Sequence, residues 1–303
     1  MLPFWRSSGI VDRPRGRLAR SCIGLAVTVS VVVGLVSPAG ATWSVVVADT
    51  GSKEVGVGFA ACLNPSILGE PEDPLIPMVF NPGIGGGIYI DTVDTAVDAE
   101  MFGLLSQGFS PEQILNNIIA VPSEARARGQ YSVVTVDGAS AVRSGSEIVG
   151  FEDQGSSYAI QGNGVESIAV PEIVEAVEKA MMDDRPVASV VVDGLLAGSE
   201  AGGDLRCGEQ TALFAQVVVV GPDDTVDEPG YILTVVVDDD DGQNPVAILA
   251  AEHEKASAGL LDVGSAGGRG FLVYILAAVL GAIMIGSGVV IFRYGIGNRA
   301  ARK

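Results

Sequence analysis

A threonine with a free α-amino group carries its own general base, and this chain can produce one. Ser37-Pro38-Ala39-Gly40-Ala41 has alanine at both small-residue positions of a signal-peptidase site, so a cut after Ala41 starts the mature chain at Thr42. An α-amino group has a pKa of about 7.7–8.0 and is substantially neutral near neutral pH. It can take the hydroxyl proton directly or through a water, after which the oxygen attacks a carbonyl. The oxyanion that develops needs backbone N–H or amide donors. Gln161-Gly162-Asn163 and Ser144-Gly145-Ser146 read as polar-glycine turns of a suitable kind.

The other reactive residue types offer less. His253 is the single histidine. It excludes an HExxH zinc site, and a Ser-His-Asp triad would have to use it; on a late amphipathic stretch it reads as a surface helix residue. Asp238 to Asp241 is a run of carboxylates without the alternating spacing or the glutamate of an EF-hand, and reads as a solvated loop. Gly83-Ile84-Gly85-Gly86-Gly87 lacks the Lys-Ser/Thr of a P-loop and reads as a flexible turn beside a buried strand. No metal or cofactor site is expected. Cys62 and Cys207 have no CxxC spacing and read as small buried residues, with one disulfide the alternative that export allows.

Thr42 opens a pair of strands over 42–61, turned at Asp49-Thr50-Gly51-Ser52-Lys53. A proline-rich passage follows, then helices expected over 98–107 and 110–120, the second with Ser110 as N-cap, Pro111 at the first position and Gln113 completing a capping box. Tyr131–Val136 reads as a strand turned at Asp137-Gly138 toward Ala139–Arg143, and Tyr158–Gln161 as another. Pro171–Met182 is amphipathic, Pro186–Gly198 is a helix despite its valines, Thr211–Val220 and Tyr231–Val237 are central strands, and Asn244–Leu261 is a closing helix.

The two ends differ from this middle. Five arginines precede an apolar run from Cys22 to Val36, the layout of a secretory signal over 1–41, with an uncleaved signal anchor the alternative. At the other end, a Gly/Ser/Ala linker over 262–270 leads into 22 uncharged residues, 271–292, followed by Arg293, Arg299, Arg302 and Lys303. Such a run is about 33 Å long as a helix and spans a bilayer, and the basic tail, 293–303, puts the C-terminus in the cytoplasm. The expectation is a single-pass protein of the cell membrane with its domain, 42–261, outside. Ala278, Ala282 and Gly286 form a small-residue stripe suited to pairing helices, so an oligomer is one expectation. Residues 42–269 hold 9 basic against 36 acidic side chains, a net of −27. That surface repels nucleic acid and excludes it as a partner; acidity of this degree points to solubility or salt adaptation.

Thr42-Trp43-Ser44-Val45-Val46-Val47-Ala48-Asp49 and Gly56-Val57-Gly58-Phe59-Ala60 are followed in order by Gly108–Leu115, Arg128–Val134, Gln161-Gly162-Asn163, Glu200-Ala201-Gly202-Gly203-Asp204-Leu205-Arg206, Gln210–Leu213, Val236–Asp239 and Asn244–Ala247. This ordered set resembles the DUF1028 family, a group assigned to the N-terminal-nucleophile (Ntn) hydrolase superfamily. The resemblance implies an α+β fold, a four-layer αββα sandwich, and an amidohydrolase acting on a small amide or peptide with Thr42 as nucleophile. It also implies Asn163, Asp204 and Arg206 as polar organisers of the site, Asp204 and Arg206 being equally readable as a structural ion pair. The chain departs from the family at Ala61-Cys62, where relatives usually carry a polar or basic pair, and over Pro65–Ile90. Those departures open the alternative of a catalytically silent binding or envelope-structural module on the same fold.

Overall fold

The computed structural model describes residues 42–63, 77–91, 94–166, 168–238, 242–259 and 290–294. The expected signal peptide, linker and basic tail beyond Tyr294 lie outside these residues, as does the expected transmembrane helix up to residue 289. Among the described residues no helix is long and apolar enough to cross a membrane.

β1 (Thr42–Ala48) and β2 (Val55–Ala61) form the expected hairpin, closed by Asp49, whose Oδ1 accepts from Gly51 N at 2.6 Å, with Lys53 in the left-handed region at φ 61°. They lie at the middle of a seven-stranded antiparallel sheet of order β11-β10-β9-β2-β1-β8-β7. Its other members are β7 (Gly150–Gly155), β8 (Tyr158–Asn163), β9 (Phe214–Val220), β10 (Tyr231–Val236) and β11 (Val290–Tyr294). A second antiparallel sheet runs β3-β4-β5-β6, made of β3 (Met78–Asn81), β4 (Gly85–Ile90), β5 (Gln130–Thr135) and β6 (Ser140–Ser144).

Strand alternation sends successive side chains to opposite faces, and the central strands of the two sheets are buried on both, so three apolar layers form. Trp43, Val45 and Val47 of β1 pack under α4 (Ala169–Met182), α5 (Val187–Glu200) and α6 (Pro245–Ser257). Val46 and Ala48 turn the other way, with Val57, Ile88, Val134 and Val218, and fill the space between the sheets. Tyr89, Tyr131 and Val133 pack on the far side against Met101 and Leu105 of α1 (Thr95–Ser106) and Ile114, Leu115 and Ile118 of α2 (Pro111–Ala120). A short α3 (Glu124–Arg128) joins α2 to β5. The fold is mixed α+β: two antiparallel sheets face to face with helices outside each.

Several local expectations hold for the reasons that produced them. Ser110 and Gln113 cap α2 reciprocally. α5 is helical despite four valines because Val187, Val190, Val191 and Leu195 are buried on β1, β2 and β9, and tertiary burial outweighs the small propensity penalty of β-branching.

Others are corrected. The Gly83–Gly87 cluster is not simply a turn: Gly85, Gly86 and Gly87 lie inside β4. A Cβ on Gly87 would sit 2.3 Å from Ser132 O and 2.8 Å from Met101 Sδ, so glycine is what lets α1 close onto this strand. Gln161-Gly162-Asn163 is strand, not turn, being the last three residues of β8. The first helix begins at Thr95, capped by Asp94, three residues before the expected Asp98. β3 and β7 have no counterpart in the sequence expectation, β7 because its alternating half-exposed pattern carries little apolar signal. Val290–Phe292, the expected end of the membrane helix, fall in β11 at the sheet edge, a β-branched and aromatic stretch that suits a strand.

Candidate functional site

Thr42 is the first residue of β1 and is 3% exposed. It pairs across the sheet with Ala61, the last residue of β2, and with Asn163, the last residue of β8. The alternation that sends Trp43 toward α5 turns Thr42 toward the space between the sheets. The ends of three strands therefore meet at this threonine.

Asn163 is fixed from the second sheet. Its Nδ2 donates to Gln130 Oε1 at 2.9 Å, and Gln130 Nε2 donates in turn to Ser144 Oγ at 2.9 Å and to Phe151 O at 3.2 Å. Gln130 opens β5, and the pair Asn163–Gln130 stitches the two sheets together at the Thr42 end. One layer deeper, Gln161 Nε2 reaches Ile88 O and Gln130 O, both at 3.4 Å.

Asp204 is fully buried and arrives from the other side. Its Oδ2 accepts from Cys62 N at 2.8 Å, one residue beyond Thr42's partner Ala61. Arg206 holds the same carboxylate through Nε at 3.0 Å and Nη2 at 2.7 Å, a bidentate arrangement. Three devices hold the loop bearing Asp204. Its backbone bridges Val165 just past β8, and Asp204 N donates to Thr211 O at 2.8 Å. Thr211 sits at φ 63°, a strained backbone for a β-branched residue, held by Ser199 Oγ at 2.6 Å from Thr211 Oγ1. Gly203, at φ 57°, has no room for a side chain, since a Cβ would lie 2.5 Å from Thr211 Cβ.

The third device is a disulfide. Cys62 and Cys207, expected as small buried residues, are joined with Cα atoms 5.7 Å apart, across 145 residues of sequence. The bridge ties the end of β2 to the Asp204–Arg206 loop. The sequence signal for it was only the expectation of export, which allows a disulfide, because spacing says nothing about so distant a pair.

All four expected site residues are thus gathered: Thr42 and Asn163 face each other in the sheet, and Asp204 with Arg206 closes the β2 side. Sequence reasoning missed two more. Gln130 lay inside a motif segment but had no assigned part. Asp91, directly after β4, has a burial-raised pKa, pushed up to about 7, with Arg206 opposing and Asp204 reinforcing that rise. The Ser144-Gly145-Ser146 turn supplies only Ser144, at second hand, as an acceptor for Gln130.

His253 is not at this site and not on the surface. It is 6% exposed under α5, with Nε2 2.9 Å from Ser189 Oγ and Nδ1 2.8 Å from Tyr231 Oη, and burial holds its pKa below the usual imidazole value. Both ring nitrogens are used within the core, which is why a lone helical histidine is retained there. Of the Asp238–Asp241 run, only Asp238 and not 239–241 is among the described residues. A cavity of about 530 Å³ lined by Asp153, Val174, Glu178 and Met182 lies on the helical face of the large sheet, opposite the face to which Thr42 turns.

Comparison with protein families places this geometry. The model of DUF1028, a family of unknown function, matches residues 42–249, from Thr42 into α6. The chain belongs to the DUF1028 family. A crystal structure of a DUF1028 protein from Silicibacter pomeroyi is similar in fold, with a TM-score of 0.56 at 21% identity over 74% of this chain and 88% of that one. None of the curated proteins matches the chain.

Proposed function

We propose that this DUF1028 domain is an Ntn-type amidohydrolase, with Thr42 released as the N-terminal residue by cleavage after Ala41. The succession helix layer, sheet, sheet, helix layer supports the αββα reading. The observation that carries the proposal is the convergence of Asn163 and the Asp204-held end of β2 on the first residue of β1. The α-amino group of Thr42 takes its hydroxyl proton, and the oxygen attacks the carbonyl of a small amide or peptide. Asn163 Nδ2 and strand-end N–H groups are the donors available to the oxyanion. Asp204 and Arg206 hold the end of β2 against Thr42 and serve as positioning residues.

A second reading, a catalytically silent binding or envelope-structural module, draws on the burial of Thr42 and on Ala61, an apolar neighbour that supplies no base. A threonine-directed β-lactone separates the two. Wild-type protein labelled on Thr42, with Thr42→Ala unlabelled, supports the hydrolase; an unlabelled wild type with Thr42 verified at its N-terminus supports the silent module.

We place the domain outside the cell, held at the membrane by 271–292. Among the described residues β11 pairs with β10, so Val290–Phe292 cannot be sheet edge and membrane helix at once, and anchoring by 271–292 requires them to leave the edge of the sheet for the bilayer. Extraction of the full-length protein from membranes by alkaline carbonate would count against anchoring.

A further inference from the structure

We propose that Asp91 is the proton donor and acceptor of the Thr42 site, protonating the leaving group and later drawing the proton from the hydrolytic water. The role rests on the hydrolase reading above. Three observations place the residue.

The first is connectivity. Asp91 directly follows Ile90, whose partner across β4 and β5 is Gln130, and Gln130 Oε1 accepts from Asn163, the partner of Thr42. From the opposite side the charges that act on Asp91 are Arg206 and Asp204, the pair that holds Cys62 N beside Ala61. The charges of its own connection, Asp94 and Glu100, are engaged instead by Arg126 at 3.6 and 2.8 Å. Asp91 is therefore bracketed by the neighbours of Thr42.

The second is backbone. Asp91 lies at φ 70°, off the extended path of β4, in a region non-glycine residues adopt sparingly and functional sites use often. The third is the carboxyl group itself. Both oxygens are shielded from solvent, and neither has a hydrogen-bond partner. Burial outweighs the opposing charge of Arg206, which Asp204 partly offsets, so the neutral acid is favoured. Its pKa, raised to about 7, leaves both forms accessible at neutral pH, the condition a group needs to give a proton in one half-reaction and take one in the next.

The protons balance. In acylation the Thr42 amine takes the hydroxyl proton, the oxygen bonds to the carbonyl carbon, the C–N bond breaks, and the protonated Asp91 carboxyl gives its proton to the departing nitrogen. In deacylation the Asp91 carboxylate takes a proton from water as the water oxygen attacks the ester. The Thr42 oxygen leaves and recovers its proton from the ammonium group, and amine, hydroxyl and Asp91 return to their starting states.

Two measurements on the full-length protein test this. Carboxyl titration by ¹³C NMR with labelled aspartate, wild type against Asp91→Asn, should show one resonance missing from the variant with a midpoint near 7. A midpoint in the ordinary carboxylate range near 4 overturns the proposal whatever Thr42 does. Hydrolysis of the Thr42 acyl adduct formed by a β-lactone should slow about a hundredfold in Asp91→Asn at pH 7 and be partly restored in Asp91→Glu. An Asp91→Asn protein that turns over its adduct at the wild-type rate and with the wild-type pH profile overturns the role of Asp91 while leaving Thr42 as nucleophile. A wild type that takes no label overturns both.

Discussion

The space between the two sheets has two ends built from the same strands, and they are made of different material. At the hairpin end Val46, Ala48, Val55, Val57, Phe80, Val218 and Val220 close an apolar core. At the Thr42 end the same face carries Ser44, Gln130, Ser132, Gln161 and Asn163, all buried, with Asp204 behind them. The Oγ atoms of Ser44 and Ser132 and the Oε1 of Gln161 are buried there with no partner. A buried polar group is costly when unpaired. A strand that could have carried valine throughout, and instead carries serine, glutamine and asparagine over one half, has been shaped for something other than stability.

The sharpest contrast comes from cutting each end in turn. Phe80→Ala, at the apolar end where Phe80 is 2% exposed, should lower unfolding free energy by about 3–5 kcal/mol in denaturant titration. Removing the Cys62–Cys207 bridge by a double serine substitution should cost about 2–4 kcal/mol. Unlike the Phe80 change, it should also weaken labelling of Thr42, because the bridge holds the Asp204 loop to the end of β2. Asp204→Asn removes a charge-assisted pair at the polar end and should cost about 1.5–3 kcal/mol; a change under 0.5 kcal/mol would show that the pair is peripheral to the fold.

Asp91 gives the comparison a pH dependence. Its folded pKa, near 7, lies above the ordinary value of about 3.9 for an unfolded aspartate. The folded state therefore binds more protons than the unfolded state between those values, and stability falls as pH rises through that window. Asp91→Asn should abolish this loss, so the variant is the more stable protein at pH 8, on the order of 4 kcal/mol, and the difference should vanish below pH 4. Equal stability at both pH values would mean that Asp91 is ionised at little cost.

Much of the frame was legible because its signals are local. Alternation over 42–61, the Ser110–Gln113 capping box and the Asp137-Gly138 turn each fix their element within a few residues. The four candidate site residues that the fold gathers were picked out by the ordered motifs. What was not legible depends on contacts distant in sequence. The disulfide joins residues 145 apart, and Gln130 meets Asn163 only when two sheets face each other. His253 is buried because Ser189 and Tyr231 receive both its nitrogens. Gly87 looked like a turn residue because nothing in sequence announces that α1 will close on its strand.

The most direct test of the account is the identity of the mature N-terminus. Tandem mass spectrometry of the protein from its own cell should find Thr42 as the first residue, and, after β-lactone treatment, the adduct on that residue. A chain that begins anywhere else, or an adduct that survives Thr42→Ala, would contradict the reading of Thr42 as nucleophile.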